Sequence, residues 1–226
     1  MKKPCDWRRS LLTALASLPS MGGAGLGFLT APTGHARAAV PTTTSPPLVL
    51  VVGDSLSAEY GLRRGSGWVA LLAERLLKTA PGWQIFNASI SGETSAGGLT
   101  RLAPLLSQHR PRLVVIELGA NDALRGLDLE ATARNLDAMV GAAQAAGARV
   151  LLLGMRMPPN YGRSYGERFE RLYRDIATAR RCALVPFFLA GVAERLDLFQ
   201  ADRIHPTEQA QPLLLENVWP ALRKLI

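Results

Sequence analysis

The chain has 226 residues, 48% of them apolar, and a formal net charge of +8 at pH 7, a size and composition that suit one domain with one buried core. Residues 1–38 contain five of the 26 basic residues but only one of the 18 acidic residues, so the rest of the chain carries a charge of +4. Because its basic residues are scattered and few in excess, nucleic acid is excluded as the expected partner.

The first 38 residues have the order of an export signal. A basic start, MKKPCDWRR, is followed by 25 uncharged residues, 10–34, and by the tripeptide Ala36-Arg37-Ala38. We predict a signal over 1–38 that is cleaved after Ala38, and a periplasmic or secreted protein. Arg8 and Arg9 resemble a twin-arginine signal, and the general secretory route stays open. An uncleaved anchor is the alternative, but a proline and several glycines lower the apolarity of the stretch, so no stable membrane span is expected after signal removal.

A Pro/Thr-rich tether is predicted over 39–47, and a single folded domain over 48–226. From Leu48 onward, short apolar runs rich in β-branched residues alternate with longer amphipathic stretches. The apolar runs predict five strands, in LVLVVG, WQIFNAS, RLVVIELG, ARVLLLGM and CALVPFF. The amphipathic stretches predict helices over 68–78, 95–109, 129–146, 164–181 and 206–225.

This alternation predicts an α/β fold with a parallel sheet. Strands as apolar as these are covered on both faces, and right-handed crossovers place helices on both sides of the sheet. We therefore predict a three-layer α/β/α sandwich around a five-stranded parallel sheet of flavodoxin-like type. A monomer is expected. Ligands of such folds bind beyond the carboxyl ends of the strands, so polar residues that follow strands are the candidate site.

Ser55 follows the first predicted strand, in the sequence Gly53-Asp54-Ser55-Leu56. The glycine gives the backbone room at this turn. A serine placed there can be a nucleophile, although a helix-capping serine has the same local sequence. Its role therefore depends on a base.

Histidine is the usual base for a serine nucleophile, and the chain has three. His35 leaves with the predicted signal, and His109 ends a helical stretch, where an imidazole is typically an exposed C-terminal cap. His205 is followed by Pro206, which suits the first position of the last helix. Asp202, three residues before it, can accept the imidazole Nδ1 proton and fix the tautomer that a base requires. The alternative is a solvated loop pair of aspartate and histidine.

Hydrolysis by a serine also needs donors for the oxyanion. Gly92 follows the second strand and offers a backbone N–H that a substrate can approach closely. The side-chain amide of Asn121 follows the third strand, and the N–H of Ser55 is a third donor. Each alone could belong to a simple turn, but all three follow strands of one predicted sheet.

Four segments together resemble the SGNH, or GDSL, hydrolase family in order and spacing: GDSLS at 53–57, NASISGETS at 87–95, VIELGANDALRG at 115–126 and DRIHP at 202–206. The segments RMPPNYG at 156–162 and LVPFF at 184–188 further resemble its periplasmic multifunctional acyl-CoA thioesterase, arylesterase and lysophospholipase branch. The resemblance covers almost all of the chain after the tether. It implies Ser55, Asp202 and His205 as a catalytic triad and Ser55, Gly92 and Asn121 as an oxyanion hole.

The resemblance also implies that ALRGL, 123–127, is the family's mobile loop beside the acyl site, so that Leu124 and Leu127 contact an acyl tail. A simple helix-entry loop is the alternative. Glu59 stands where relatives often have a small residue, and Arg203 stands where glycine is common. Both departures put the rim of the site and its substrate preference in doubt.

Other acidic residues near these segments are interpreted as structural. Asp54 is expected to be a buried carboxylate that forms the turn beside Ser55, and Asp122 is expected to hold its loop. Glu93 is expected to be solvated, and a position that points into the cleft is the alternative.

The predicted function is hydrolysis of a small-molecule acyl ester or thioester, with lysophospholipids in the expected substrate class, through an acyl-enzyme. No cofactor or metal is expected, since the chain has no cluster of cysteine and histidine, and Cys182, expected to be buried, is alone once the signal is removed. Within enzymes, the alternative is a carbohydrate O-deacetylase that uses the same groups on an acetyl ester. A non-catalytic flavodoxin-like binding module is the alternative outside enzymes.

Overall fold

The structure, a computed structural model, describes residues 46–226. The predicted signal, its cleavage after Ala38 and residues 39–45 of the predicted tether lie outside these residues. In the part of the chain that is described, no helix combines the length and the apolarity needed to cross a membrane.

Five parallel strands form one sheet, in the order β2-β1-β3-β4-β5. This is the flavodoxin-like order, in which the chain turns back across its first strand. The strands are β1 (Leu48–Gly53), β2 (Gln84–Asn87), β3 (Leu113–Glu117), β4 (Arg149–Leu153) and β5 (Ala183–Val185).

Helices cover both faces of the sheet and complete the predicted three-layer sandwich, which the structure confirms. The helices are α1 (Trp68–Thr79), α2 (Ser95–His109), α3 (Ala120–Leu124), α4 (Leu129–Ala145), α5 (Arg163–Arg180) and α6 (Gln211–Leu222). Helices α1 and α6 pack against each other on one face, and α2, α4 and α5 pack in a row on the other.

The centre of the sheet is fully buried. No side chain from Val49 to Val52 or from Leu113 to Ile116 is exposed to solvent. Large side chains from the helices, among them Trp68 of α1 and Phe169 of α5, are equally buried against it. Each fully buried side chain of this size stabilises the fold by roughly 1.5–3 kcal/mol, so the loops that leave these strands start from rigid positions.

The edges of the sheet differ from the prediction. Strand β2 lies at the edge of the sheet, and its residue Phe86 is 37% exposed. The prediction that helices cover both faces of every strand is therefore wrong for β2. The Phe86 ring stacks on His109 at 3.9 Å, and this contact leaves His109 half-buried, where an exposed cap was expected. Cys182, expected to be buried, is half-buried before β5.

The last helix begins later than predicted, at Gln211 instead of Pro206. Pro206 forms an isolated antiparallel bridge with Phe199. The neighbouring backbone bonds, from the N–H of Gln200 to the carbonyl of His205 and from the N–H of Thr207 to that of Leu198, commit this segment to a hairpin-like loop. A one-turn 3₁₀ helix, Glu208–Ala210, then leads into α6.

Gly53 and Gly166 differ in the space that surrounds them, so together they test whether a side chain can be accommodated beside β1. A Cβ atom at Gly53 would lie 2.8 Å from both Glu117 Oε2 and Ser57 Oγ, whereas one at Gly166, inside α5, would meet nothing closer than 3.9 Å. Gly53→Ala should therefore destabilise the fold by about 1–3 kcal/mol, and Gly166→Ala should stabilise it by about 0.5–1 kcal/mol. Urea unfolding of both variants measures this difference; equal effects would show that the space at Gly53 is not constrained.

Candidate active site

Ser55 lies in a tight turn directly after β1. The N–H groups of Ser57 and Ala58 donate to the carbonyl of Asp54 at 3.3 and 2.9 Å, and the N–H of Leu56 donates to Asp54 Oδ1 at 3.0 Å. Asp54 is 1% exposed, so the expected buried, turn-forming carboxylate is confirmed. This turn presents Ser55, which is half-buried, at the carboxyl end of β1.

The structure brings Ser55, His205 and Asp202 together across 150 positions of sequence. His205 Nε2 lies 2.9 Å from Ser55 Oγ, and His205 Nδ1 lies 2.6 Å from Asp202 Oδ2. This row of hydroxyl, imidazole and carboxylate is suited to moving the serine proton to the imidazole.

Asp202 shapes the loop as well as contacting the imidazole. Its Oδ1 accepts the backbone N–H groups of His205 and Ile204, each at 3.0 Å. The His205 N–H and ring and then the Ile204 N–H lower the pKa of Asp202 from 3.8 to about 2. Asp202 is therefore a carboxylate throughout the neutral range. Arg203 lies between Asp202 and His205 and has φ +57°, in the left-handed region that glycine adopts most readily. This backbone conformation gives a physical reason why glycine is common at this position in the family.

Two residues that the sequence analysis did not single out hold the imidazole loop against the serine turn. The Tyr60 ring packs on the His205 ring at 4.3 Å. Gln200 Nε2 donates to the carbonyls of Tyr60 and Pro206 at 2.9 and 3.2 Å. No sequence pattern marked these residues, because each makes its contact through the folded loops.

The three predicted oxyanion donors are in different states. Within residues 46–226, the N–H groups of Ser55 and Gly92 make no hydrogen bond, and Gly92 has φ +77°. Asn121 Nδ2 donates to Asp54 Oδ2 at 3.0 Å and to the carbonyl of Glu93 at 3.1 Å. Since an amide nitrogen has two hydrogens, an anion beside Asn121 competes with the Glu93 carbonyl.

The loop that carries Gly92 is held by two arginines. Glu93, expected to be solvated, is instead paired with Arg101, whose Nε lies 2.7 Å from Glu93 Oε2, and the Glu93 side chain is only 13% exposed. Arg125 Nη2 donates to the carbonyl of Gly92 at 2.9 Å. Arg125 lies directly after α3, so this bond joins the ALRGL segment to the Gly92 loop.

The predicted loop around Leu124 is partly helical. Helix α3 ends at Leu124, which is half-buried, and Leu127 follows it with 46% of its surface exposed. Asp122, in α3, is buried and accepts the backbone N–H and the hydroxyl of Ser95 at 2.9 and 2.5 Å and the hydroxyl of Thr132 at 3.3 Å. It joins α3 to α2 and α4, so the expected structural role is confirmed.

Glu59 organises the loop between Ser55 and α1. Its backbone has φ +60°, and its carboxylate accepts the N–H groups of Gly65, at 3.0 and 3.1 Å, and of Gly67, at 2.8 Å. Gly67 is the N-cap of α1, so this carboxylate fastens the loop to the start of the helix.

Glu117, the last residue of β3, also lies under the site and is fully buried. The sequence analysis missed it because it is part of an apolar run. Among residues 46–226, no cluster of three or more histidine, cysteine, aspartate or glutamate side chains could hold a metal ion.

Comparisons with known proteins place the whole folded domain in a known family. Residues 51–212 match the GDSL-like Lipase/Acylhydrolase family. The chain is 54% identical to Esterase TesA of Pseudomonas aeruginosa over 178 residues, 79% of this chain and 89% of the esterase. It is 41% identical to Thioesterase 1/protease 1/lysophospholipase L1 of Escherichia coli over 182 residues, 79% and 84% of the two chains. A crystal structure of TesA, 54% identical, matches with a TM-score of 0.78 and covers 79% of this chain and 99% of its own.

Proposed function

Since this chain belongs to the GDSL-like lipase/acylhydrolase family, we propose that it hydrolyses carboxylic esters and thioesters through an acyl-enzyme on Ser55. The observation that carries the proposal is the pair of short contacts that links Ser55 Oγ to His205 and His205 to Asp202. The esterase and thioesterase relatives named above support the same reaction class.

In the first half of the reaction, Ser55 Oγ attacks the carbonyl carbon of the substrate while His205 Nε2 takes the hydroxyl proton. Asp202 accepts the Nδ1–H bond and stabilises the imidazolium that forms. The negative charge on the carbonyl oxygen meets the free N–H groups of Ser55 and Gly92, and Asn121 joins them by releasing the Glu93 carbonyl.

The tetrahedral intermediate then collapses. His205 returns its proton to the leaving alcohol or thiol, and the acyl group stays on Ser55 as an ester. Water enters, His205 removes a proton from it, and the resulting oxygen nucleophile attacks the acyl carbon. The second collapse releases the carboxylic acid and restores the Ser55 hydroxyl, so no redox partner or cofactor takes part.

The surroundings of the site favour a substrate with an apolar portion. Large apolar side chains that are between 46% and 51% exposed lie in or directly after each of the four segments that carry the polar groups. These are Tyr60 after Ser55, Ile90 before Gly92, Leu127 after Asn121, and Ile204 beside His205. Exposed apolar groups on four loops at one sheet edge offer a binding surface for an acyl or aryl group, and lysophospholipids belong to this substrate class.

The nucleophile is tested by Ser55→Ala, with Ser107→Ala, exposed on α2, as the control. Loss of the hydroxyl should lower kcat for a nitrophenyl ester by about 10⁶-fold and abolish labelling by a fluorophosphonate probe. Ser107→Ala should retain the wild-type kcat and the labelling by the probe. Near-normal turnover by the Ser55 variant would show that another group attacks the ester.

The acyl surface is tested by Leu127→Ser, with Leu77→Ser, 72% exposed on α1, as the control. If Leu127 contacts the acyl tail, kcat/KM should fall about 5- to 20-fold for octanoyl nitrophenyl ester and little for the acetyl ester. Equal losses on both esters would contradict the contact. A wild-type enzyme that prefers acetyl esters would favour the O-deacetylase alternative.

Export to the periplasm or the medium is also part of the proposal, supported by the order of charge and apolarity in residues 1–38. The exported protein should begin at Ala39. Sequencing the N-terminus of the protein recovered outside the cytoplasm checks this, and a start at Met1 or Ser10 would contradict cleavage after Ala38.

A further inference from the structure

A pair of carboxyl groups lies buried behind Ser55. The pairing of β1 with β3 places Gly53 beside Glu117, and the next residue after Gly53 is Asp54. Asp54 is 1% exposed and Glu117 is 0% exposed. The N–H of Asp54 donates to Glu117 Oε2 at 3.3 Å, so the carboxyl group of Glu117 lies against the backbone of Asp54.

The hydrogen bonds around the two carboxyl groups are unequal. Both oxygens of Asp54 accept a donor at 3.0 Å, Oδ1 from the N–H of Leu56 and Oδ2 from Asn121 Nδ2. Glu117 Oε2 also accepts the hydroxyl of Ser57 at 2.8 Å. Glu117 Oε1 is buried and accepts no hydrogen bond from residues 46–226.

Two neighbouring carboxyl groups that are both this deeply buried are not both ionised at neutral pH, because each charge would lack solvation and repel the other. Ionisation favours the carboxyl group whose oxygens are both hydrogen-bonded, which is Asp54. The other group, Glu117, retains its proton, and its Oε1, to which no group donates a hydrogen bond, is the oxygen that can carry it. Burial raises the pKa of Asp54 to about 6, while burial and the negative charge of Asp54 together raise the pKa of Glu117 well above its ordinary value.

The other titratable groups around the pair do not change the conclusion that Asp54 ionises before Glu117. His205, from the loop before α6, lowers the pKa of Asp54 and so favours its ionised form. Tyr173, from α5, is buried, and burial raises its pKa well above 10.0, so it stays neutral. The negative charges of Asp54 and of Asp122, from α3, raise the pKa of Tyr173 further.

We propose that Asp54 and Glu117 share one proton, which Glu117 holds, and that this leaves Asp54 as the ionised anchor that positions the Asn121 amide for the oxyanion. The inference rests on the proposed function, because it requires Asn121 to bind an oxyanion. Both carboxyl groups are positioning residues, since neither touches the substrate.

The anchor works through the two hydrogens of the Asn121 amide. The bond to Asp54 is assisted by the negative charge and so is stronger than the bond to the neutral Glu93 carbonyl. As charge develops on the substrate, the weaker bond is exchanged and the stronger one keeps the nitrogen in place. An amide at position 54 offers at most one acceptor and turns its NH₂ group toward Leu56 or Asn121, both of which are donors.

A double-mutant cycle tests this coupling, with kcat and KM measured for a nitrophenyl butyrate ester. Asn121→Ala should lower kcat by about 10²- to 10³-fold. Asp54→Asn should lower kcat by about 10- to 100-fold and change KM by less than about threefold, because the lost interaction is with the transition state. In the Asn121→Ala background, Asp54→Asn should cost no more than about fivefold, since its target is gone.

Equal factors for Asp54→Asn in both backgrounds would show that Asp54 acts on the turn of Ser55 and not through Asn121, and would overturn the proposal. An unchanged kcat for Asp54→Asn would show that a carboxylate at position 54 does not position Asn121, and would overturn the proposal as well. Circular dichroism and urea unfolding of each variant show whether the fold is intact.

The shared proton is tested without any reaction by Glu117→Gln, which resembles the protonated glutamate in shape. A carboxyl group whose native pKa is raised stabilises the fold fully below its unfolded pKa, about 4.5, and loses that contribution as pH rises toward the native pKa. Glutamine does not titrate. Glu117→Gln should therefore become more stable relative to the wild type as pH rises. Between pH 5 and pH 7, the ratio of its unfolding equilibrium constant to that of the wild type should fall by at least about tenfold.

A stability difference between Glu117→Gln and the wild type that does not change with pH would overturn the shared proton. This measurement also tests the shared proton if Asp54→Asn does not fold. If Ser55→Ala remains active, the proposed reaction fails while the pH dependence of stability still reports the carboxyl pair, so the two failures are distinguishable.

Discussion

The parallel pairing of β1 with β3 is the constraint on which the rest of the site depends. Parallel strands end at the same edge of the sheet, so the turn after β1 and the segment after β3 leave the core side by side. The first carries Ser55 and the second carries Asn121. Both strands are buried in the centre of the sheet, and a shift in their register would disrupt the packing of their side chains and separate these two groups.

Two aspartates show how the position of a group relative to this edge sets its chemistry. Asp54 lies beneath the serine turn, where burial raises its pKa to about 6. Asp202 lies in the outer loop, where hydrogen bonds from the His205 N–H and ring and then the Ile204 N–H lower its pKa to about 2. Two aspartates therefore have different chemistry: one is part of a buried pair of carboxyl groups, and the other is a stable carboxylate beside the imidazole.

The loops above the sheet are joined to one another by side chains that form hydrogen bonds with backbone groups. Arg125 links the segment after α3 to Gly92, and Gln200 links the imidazole loop to Tyr60. Glu59 fastens the remaining loop to the start of α1. These bonds tie loops from distant parts of the chain into one surface, on which polar groups and exposed apolar side chains alternate.

The sequence by itself determined the layers of the fold, the residues at strand ends and the pairing of Asp202 with His205, because these follow from local periodicity and from a separation of three positions. The approach of His205 to Ser55 could be inferred only from residue types, and the tertiary structure decided its distance. Glu117 could not be found in advance, since a carboxyl group in an apolar strand acquires neighbours only when the strand is placed beside β1. The solvation of Glu93 and the start of the last helix were misjudged for the same reason: contacts with Arg101 and with Phe199 come from segments that local patterns do not connect.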